Sequence, residues 1–129
     1  GNHRLWGLDT ALLVQGVYEG TGTLARGLAH PFVFQEGMVS GISLDGGRNA
    51  LEVFGAVSVT PKNYYTLLSE GKVALLYPGG IAEAWDEKAA TYRVVWPDPG
   101  VGGSDFVRAA AKFNATLVPF GGVGCSEVG

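Results

Sequence analysis

Val73-Ala-Leu-Leu-Tyr-Pro-Gly-Gly-Ile-Ala-Glu-Ala84 is the stretch on which the reading of the chain turns. Its opening, Val73 to Tyr77, carries no charge and predicts a buried strand. Pro78 has no N–H to donate, so the ladder ends there, and it holds the preceding Tyr77 in extended geometry. Gly79 and Gly80 lack a Cβ, so the chain can turn sharply and present backbone N–H groups to a ligand. Glu83 then stands at the start of a short helix. A strand that runs through a glycine turn into a helix is where open α/β sheets place their ligands. A plain tight turn is the other reading of the same residues.

Working outward, 129 residues suffice for a single domain with a real core. Hydrophobic residues make up 47% of the chain and charged ones only 16%, which excludes a disordered segment. Nine basic and twelve acidic side chains give a net charge of −3 with no basic stripe, so nucleic acid is not an expected partner. Cys125 is the single cysteine, which excludes an internal disulfide, and no Cys/His spacing suits a metal. Neither a metal nor a cofactor is expected. No apolar run is long enough to span a bilayer. Trp6, Trp85 and Trp96 leave an apolar entrance and a peripheral contact with a membrane or lipid droplet as an expectation.

The remaining elements alternate. Asp9-Thr10 are read as the cap of a helix whose buried face is Ala11 to Val14 with Val17 and Tyr18, and Gly20-Thr-Gly22 breaks it. Thr23 to Leu28 is a predicted strand, ended by His30-Pro31, and Phe32-Val33-Phe34 a short helical piece. Gly37 to Gly47 is read as irregular and Asn49 to Phe54 as a short helix. Gly55 to Val59 has the alternation of a strand. Thr60-Pro61 is a strong helix start, a capping threonine followed by proline at the first helical position. That helix places Tyr64, Leu67 and Leu68 at core spacing and closes at Gly71. Trp85 to Ala90 reads as helix, and Thr91 to Trp96 as a strand or apolar lip. Ser104 caps a helix from Asp105 to Phe113, with Phe106, Ala109, Ala110 and Phe113 on one face. Thr116 to Phe120 is the last expected strand. Helices alternating with uncharged strands predict an α/β fold with a largely parallel sheet flanked by helices.

Three places can carry chemistry. His3 is a base matched to neutral pH, and Asp9, six positions on, is a carboxylate that can hold an imidazole tautomer. The strand-to-helix step at Thr60 with Lys62 is a candidate anion site, against which stands a solvated lysine at a helix end. The N–H groups of the Pro78-Gly79-Gly80 turn can hold an anion or developing oxyanion, and Glu83 can orient a hydroxyl or pair with a cation. A helix-start acid is the plainer reading of Glu83. His30, beside Pro31, reads as a turn residue. No Gly-x-Ser-x-Gly nucleophile elbow occurs, which argues against a serine hydrolase.

Taken in order, these pieces resemble a family. Gly1-Asn-His-Arg-Leu-Trp-Gly-Leu-Asp9 resembles the first motif of the glycerolipid acyltransferases, although Asp9 falls one place later than the usual His-x4-Asp. Gly55-Ala-Val-Ser-Val-Thr-Pro-Lys-Asn63 resembles their acceptor-side motif. Leu75-Leu-Tyr-Pro-Gly-Gly-Ile-Ala-Glu-Ala84 resembles the third motif in its Pro-Gly-Gly-x-x-Glu-Ala form, that of the type-2 diacylglycerol acyltransferases. Phe106 to Phe120 is similar to the closing helix and strand. The Tyr-Pro-Gly-Gly wording and the Trp96-Pro97 step look most like the phytyl ester synthases of plants and algae.

The resemblance implies a glycerol-3-phosphate-acyltransferase-like α/β fold, of which residues 1–129 would be a part, without the strand before Asn2 or the region after Gly129. It implies O-acyl transfer from acyl-CoA or acyl-carrier protein to a lipid alcohol, diacylglycerol or phytol, and a plastid or other membrane-associated location. His3 would be the general base and Asp9 its partner, with Thr60, Lys62, Pro78, Gly79, Gly80 and Glu83 on the substrate. The alternative is a non-catalytic lipid- or CoA-binding module related to such enzymes, or an inactive fragment of one.

Overall fold

The computed structural model describes residues 8–34, 43–44, 48–49, 52, 55–79 and 105–121. The chain forms two units: residues 11–76, and a second made of Gly1–Thr10 with Tyr77–Gly129.

Among the described residues, the first unit holds a three-stranded parallel sheet in the order β4-β1-β5. Its strands are β1 (Arg26–Ala29), β4 (Val57–Ser58) and β5 (Ala74–Leu75). β1 is central: Leu28 pairs with Val57 and Ala29 with Ser58 on one side, Arg26 with Ala74 and Gly27 with Leu75 on the other. The ladder continues past the strand ends, Arg26 N–H donating to Val73 O at 2.8 Å and Val59 N–H to Ala29 O at 2.7 Å. Described helix and parallel strand thus make an α/β fold, as the alternation predicts. A separate antiparallel pair joins β2 (Ser43–Leu44), inside the stretch Gly37 to Gly47 read as irregular, to β3 (Arg48–Asn49), whose Asn49 opens the stretch read as a short helix. Glu52 is helical, and Pro31–Phe34 form the short 3-10 helix expected after His30.

Helix α2 (Pro61–Ser69) follows β4 and packs against β5. Thr60 caps it in extended geometry, φ −132° and ψ 151°, with Oγ1 accepting from the Asn63 N–H at 3.1 Å. Pro61 follows in the first turn, where a missing N–H costs nothing. Leu67 is buried and joins Ala25, Leu28 and Leu75 in the core; burying such a leucine contributes about 2 kcal/mol. Tyr64 and Leu68 are half-buried on the same helix. At the far end Gly71, with φ +66°, donates to Leu68 O while Lys72 donates to Leu67 O. This pair of reverse bonds satisfies the last carbonyls and needs a left-handed residue at Gly71.

Helix α1 (Leu8–Thr21) starts earlier than the Asp9-Thr10 cap predicts, so both residues lie in its first turn. Leu8 to Thr10 belong to the second unit and the rest to the first. Only part of its expected apolar face is sheltered. Leu13, Val14 and Val17 are half-buried, whereas Leu12 and Tyr18 are exposed. Gly22, at φ +68°, ends it by donating to Tyr18 O at 2.7 Å.

In the second unit, helix α3 (Asp105–Lys112) buries Ala109 and Ala110 almost completely, at 1% and 2% exposure, with Phe106 and Phe113 half-buried beside them. Asn114 stops it at φ 52°, with Asn114 N–H on Ala111 O and Ala115 N–H on Ala110 O. Asparagine tolerates this conformation better than other residues with a Cβ.

Two strand expectations are corrected. The strand predicted for Val73 to Tyr77 keeps only Ala74–Leu75, with Val73 O still accepting from the Arg26 N–H, and Pro78 beyond it cannot donate. Thr116 to Phe120 forms no strand. Leu117, Val118 and Phe120 are exposed, Pro119 removes a donor, and the Phe120 ring packs edge-on against Tyr77. Among the described residues no helix is long and apolar enough to cross a membrane.

Candidate active site

The sheet sets up the first part of the site. Its three strands are parallel, so their carboxyl ends share one edge, and each leads into a residue singled out above or next to one. β1 leads to His30, β4 to Thr60, and β5 through Leu76 to Tyr77. His30 is exposed at the end of the central strand, immediately after the Ala29 carbonyl that anchors Val59. Sequence reading gave it no role. The signal was its position between a predicted strand and a proline.

At the start of α2 the backbone is closely accounted for. Thr60 Oγ1 takes the Asn63 N–H, Thr60 O takes the Tyr64 N–H at 3.0 Å, and Pro61 has none. The Asn63 side chain donates from Nδ2 to Ser58 O at 2.9 Å, which fixes the step from strand to helix. Of the first helical positions, the N–H of Lys62 is the one that the cap and the proline leave to a ligand, among the described residues. The candidate anion site is therefore narrower than an open helix start. It comprises the Lys62 N–H, the helix dipole and the exposed Lys62 ammonium. On the same helix, burial pushes the Tyr64 phenol above its ordinary pKa.

In the second unit the residue that follows the first motif meets a residue of the third. Thr10, next to Asp9 in the first turn of α1, shares a part-buried hydrogen bond with the Tyr77 hydroxyl at 3.2 Å. Either hydroxyl can donate. Tyr77 is edge-on to Phe120, with ring centroids 5.6 Å apart and planes at 87°. Pro78 is exposed and Gly79 half-buried in the turn that follows Tyr77. Asp9 is thus placed in a helix whose first turn is bound to the residue leading into the Pro78-Gly79 turn. His3, Gly80 and Glu83, with Trp6, Trp85 and Trp96, lie outside the described residues. Sequence reading did not single out Thr10 or Tyr77 for this contact, since neither spacing nor periodicity announces a bond between residues 67 positions apart. Among the described residues, no group of three or more His, Cys, Asp or Glu gathers as a metal site would need.

No protein-family model matches the chain, and no solved structure matches it significantly. Curated relatives do. The chain is 36% identical over 128 residues to phytyl ester synthase 1, chloroplastic, of Arabidopsis thaliana. It is 37% identical over 131 aligned residues to phytyl ester synthase 2, chloroplastic, of the same plant. Each match takes in 99% of this chain and spans 17% and 18% of the respective relative's length. Four motifs in order and this chain-long identity point the same way: over nearly its whole length the chain is similar in sequence to one short part of two phytyl ester synthases, the branch that its motifs resemble.

Proposed function

We propose that the chain contributes the acyl-transfer site of an O-acyltransferase that moves a fatty acyl group from acyl-CoA or acyl-carrier protein to a lipid alcohol, with phytol preferred to diacylglycerol. The observation that carries this reading is the chain-long identity to two phytyl ester synthases, with every motif falling inside it. A plastid location accords with the chloroplastic names of both relatives.

In the proposed step His3 takes the hydroxyl proton of the alcohol as its oxygen attacks the thioester carbonyl carbon. Asp9 holds the imidazole and stabilises its protonated form. The tetrahedral oxyanion is met by backbone N–H groups of Gly79 and Gly80. Thr60, Lys62, Pro78 and Glu83 bind the donor and acceptor, Lys62 through charge on a phosphate or carboxylate. Collapse breaks the C–S bond, and the leaving thiolate takes the proton back from the imidazolium. The products are an ester and a free thiol, with no covalent acyl-enzyme and no metal required. Trp6, Trp85 and Trp96 belong to an apolar entrance that meets a membrane or lipid droplet surface.

The test is thioester consumption from long-chain acyl-CoA and acyl-carrier protein, with phytol, with diacylglycerol and with no acceptor. Acceptor-dependent turnover is expected, and His3→Ala should lower it by about 100-fold or more. Thioester loss that ignores the acceptor would replace the reading with hydrolysis. Binding of acyl-CoA without turnover would leave a lipid- or CoA-binding module, the reading that the later position of Asp9 favours.

A further inference from the structure

The Thr10–Tyr77 hydrogen bond has no part in the chemistry proposed above, yet it joins the helix of the first motif to the turn of the third. Thr10 follows Asp9 by one residue, a rise of about 1.5 Å along the helix. Tyr77 precedes Pro78 by one peptide bond. A threonine in a helix commonly turns its hydroxyl onto a nearby backbone carbonyl. Here it reaches a phenol 67 positions away in a part-buried setting, and the Phe120 ring packs against that phenol at 5.6 Å. Both hydroxyls can donate and accept, so the pair is satisfied in either direction. The edge-on ring contact restrains the tilt of Tyr77.

We infer that Thr10 and Tyr77 form a positioning pair, which holds the first turn of α1, with Asp9, at a set distance from the Pro78-Gly79 turn. The inference rests on the acyl-transfer reading. Neither residue touches substrate. The pair acts by fixing where the carboxylate-bearing turn stands relative to the oxyanion-binding turn, and catalytic groups must be held to within about 0.5 Å. A loosened pair lowers the rate of the chemical step while leaving substrate affinity in place.

The experiment follows both donors with phytol in the full-length polypeptide that carries the chain, comparing wild type, Tyr77→Phe, Thr10→Val, Thr10→Ser and the double variant Thr10→Val/Tyr77→Phe. Tyr77→Phe is expected to lower kcat about tenfold with KM within about twofold. Thr10→Val should match it. The double variant should be no slower than either single variant, because the two hydroxyls act as one unit. Thr10→Ser, which keeps the hydroxyl, should recover most of the lost rate. An active wild type whose Tyr77→Phe variant keeps full kcat overturns the positioning role and leaves acyl transfer standing. So does a double variant whose loss is the product of the two single losses, or a Thr10→Ser variant as slow as Thr10→Val. A wild type without turnover on either donor overturns the acyl-transfer reading, and the positioning role falls with it.

Discussion

At the scale of single residues, Thr60 illustrates how local chemistry makes a position legible. Its hydroxyl takes one donor of the helix start, and the proline after it removes another. Both effects act within a few residues and require no knowledge of the rest of the fold, so the cap was readable from two letters of sequence. Thr60→Ala is expected to lower stability by about 1 kcal/mol, measured by urea unfolding, because the Asn63 N–H loses its partner. Tyr77 is the opposite case. Its hydrogen bond depends on a helix far away in the chain, and nothing in its neighbours distinguishes it from an ordinary last strand residue. Gly55 is constrained by its own backbone: at φ +84° an L side chain is strained, whereas a Cβ there would make only ordinary contact, 3.6 Å from Arg26 Nη1 and from Leu24 Cδ2.

At the scale of elements, helices were read more faithfully than strands. α2 and α3 fall where caps and periodicity place them, because a helix satisfies its own backbone. A strand exists only if another strand pairs with it. Thr116 to Phe120 has strand-like composition, yet no ladder forms there, and its apolar side chains are exposed. The pair Ser43–Leu44 with Arg48–Asn49 went unread, although Asp45-Gly46-Gly47 between them is a hairpin signal. For α3, the buried pair Ala109 and Ala110 shows that small size was the property the sequence pattern carried, beyond apolarity alone. Ala110→Leu is expected to cost about 1–3 kcal/mol in urea unfolding through overpacking.

At the scale of the whole molecule, the class of fold was legible and the second unit was not. The parallel pairing accords with strands alternating with helices, whereas the order β4-β1-β5 and the division at Thr10 and Tyr77 rest on contacts between distant segments. Of the candidate site, the step from strand to helix at Thr60 and Lys62 was legible in the sequence, but how many of its N–H groups the cap and the proline take up required the hydrogen bonds themselves. Global stability carries one signature of the partly buried Tyr64. Burial raises its folded pKa above that of the unfolded chain, so folding holds the proton more tightly. Its contribution is complete below about pH 10 and is lost as pH rises through the folded value. Tyr64→Phe should therefore make the decline of stability above about pH 10 shallower, as followed by unfolding across alkaline buffers.

The central place of β1 has a consequence for the order of events at the ribosome. The strand is synthesised before both of its partners, β4 coming next and β5 last. Until Val57 and Ser58 emerge, the middle of the sheet has bare N–H and C=O groups on both sides. Until Ala74 and Leu75 follow, one side still does. Vectorial synthesis thus produces a nascent chain with its most adhesive edge exposed while its mates are still being made, an interval in which chaperones or a rapid supply of the later strands protect against pairing between chains.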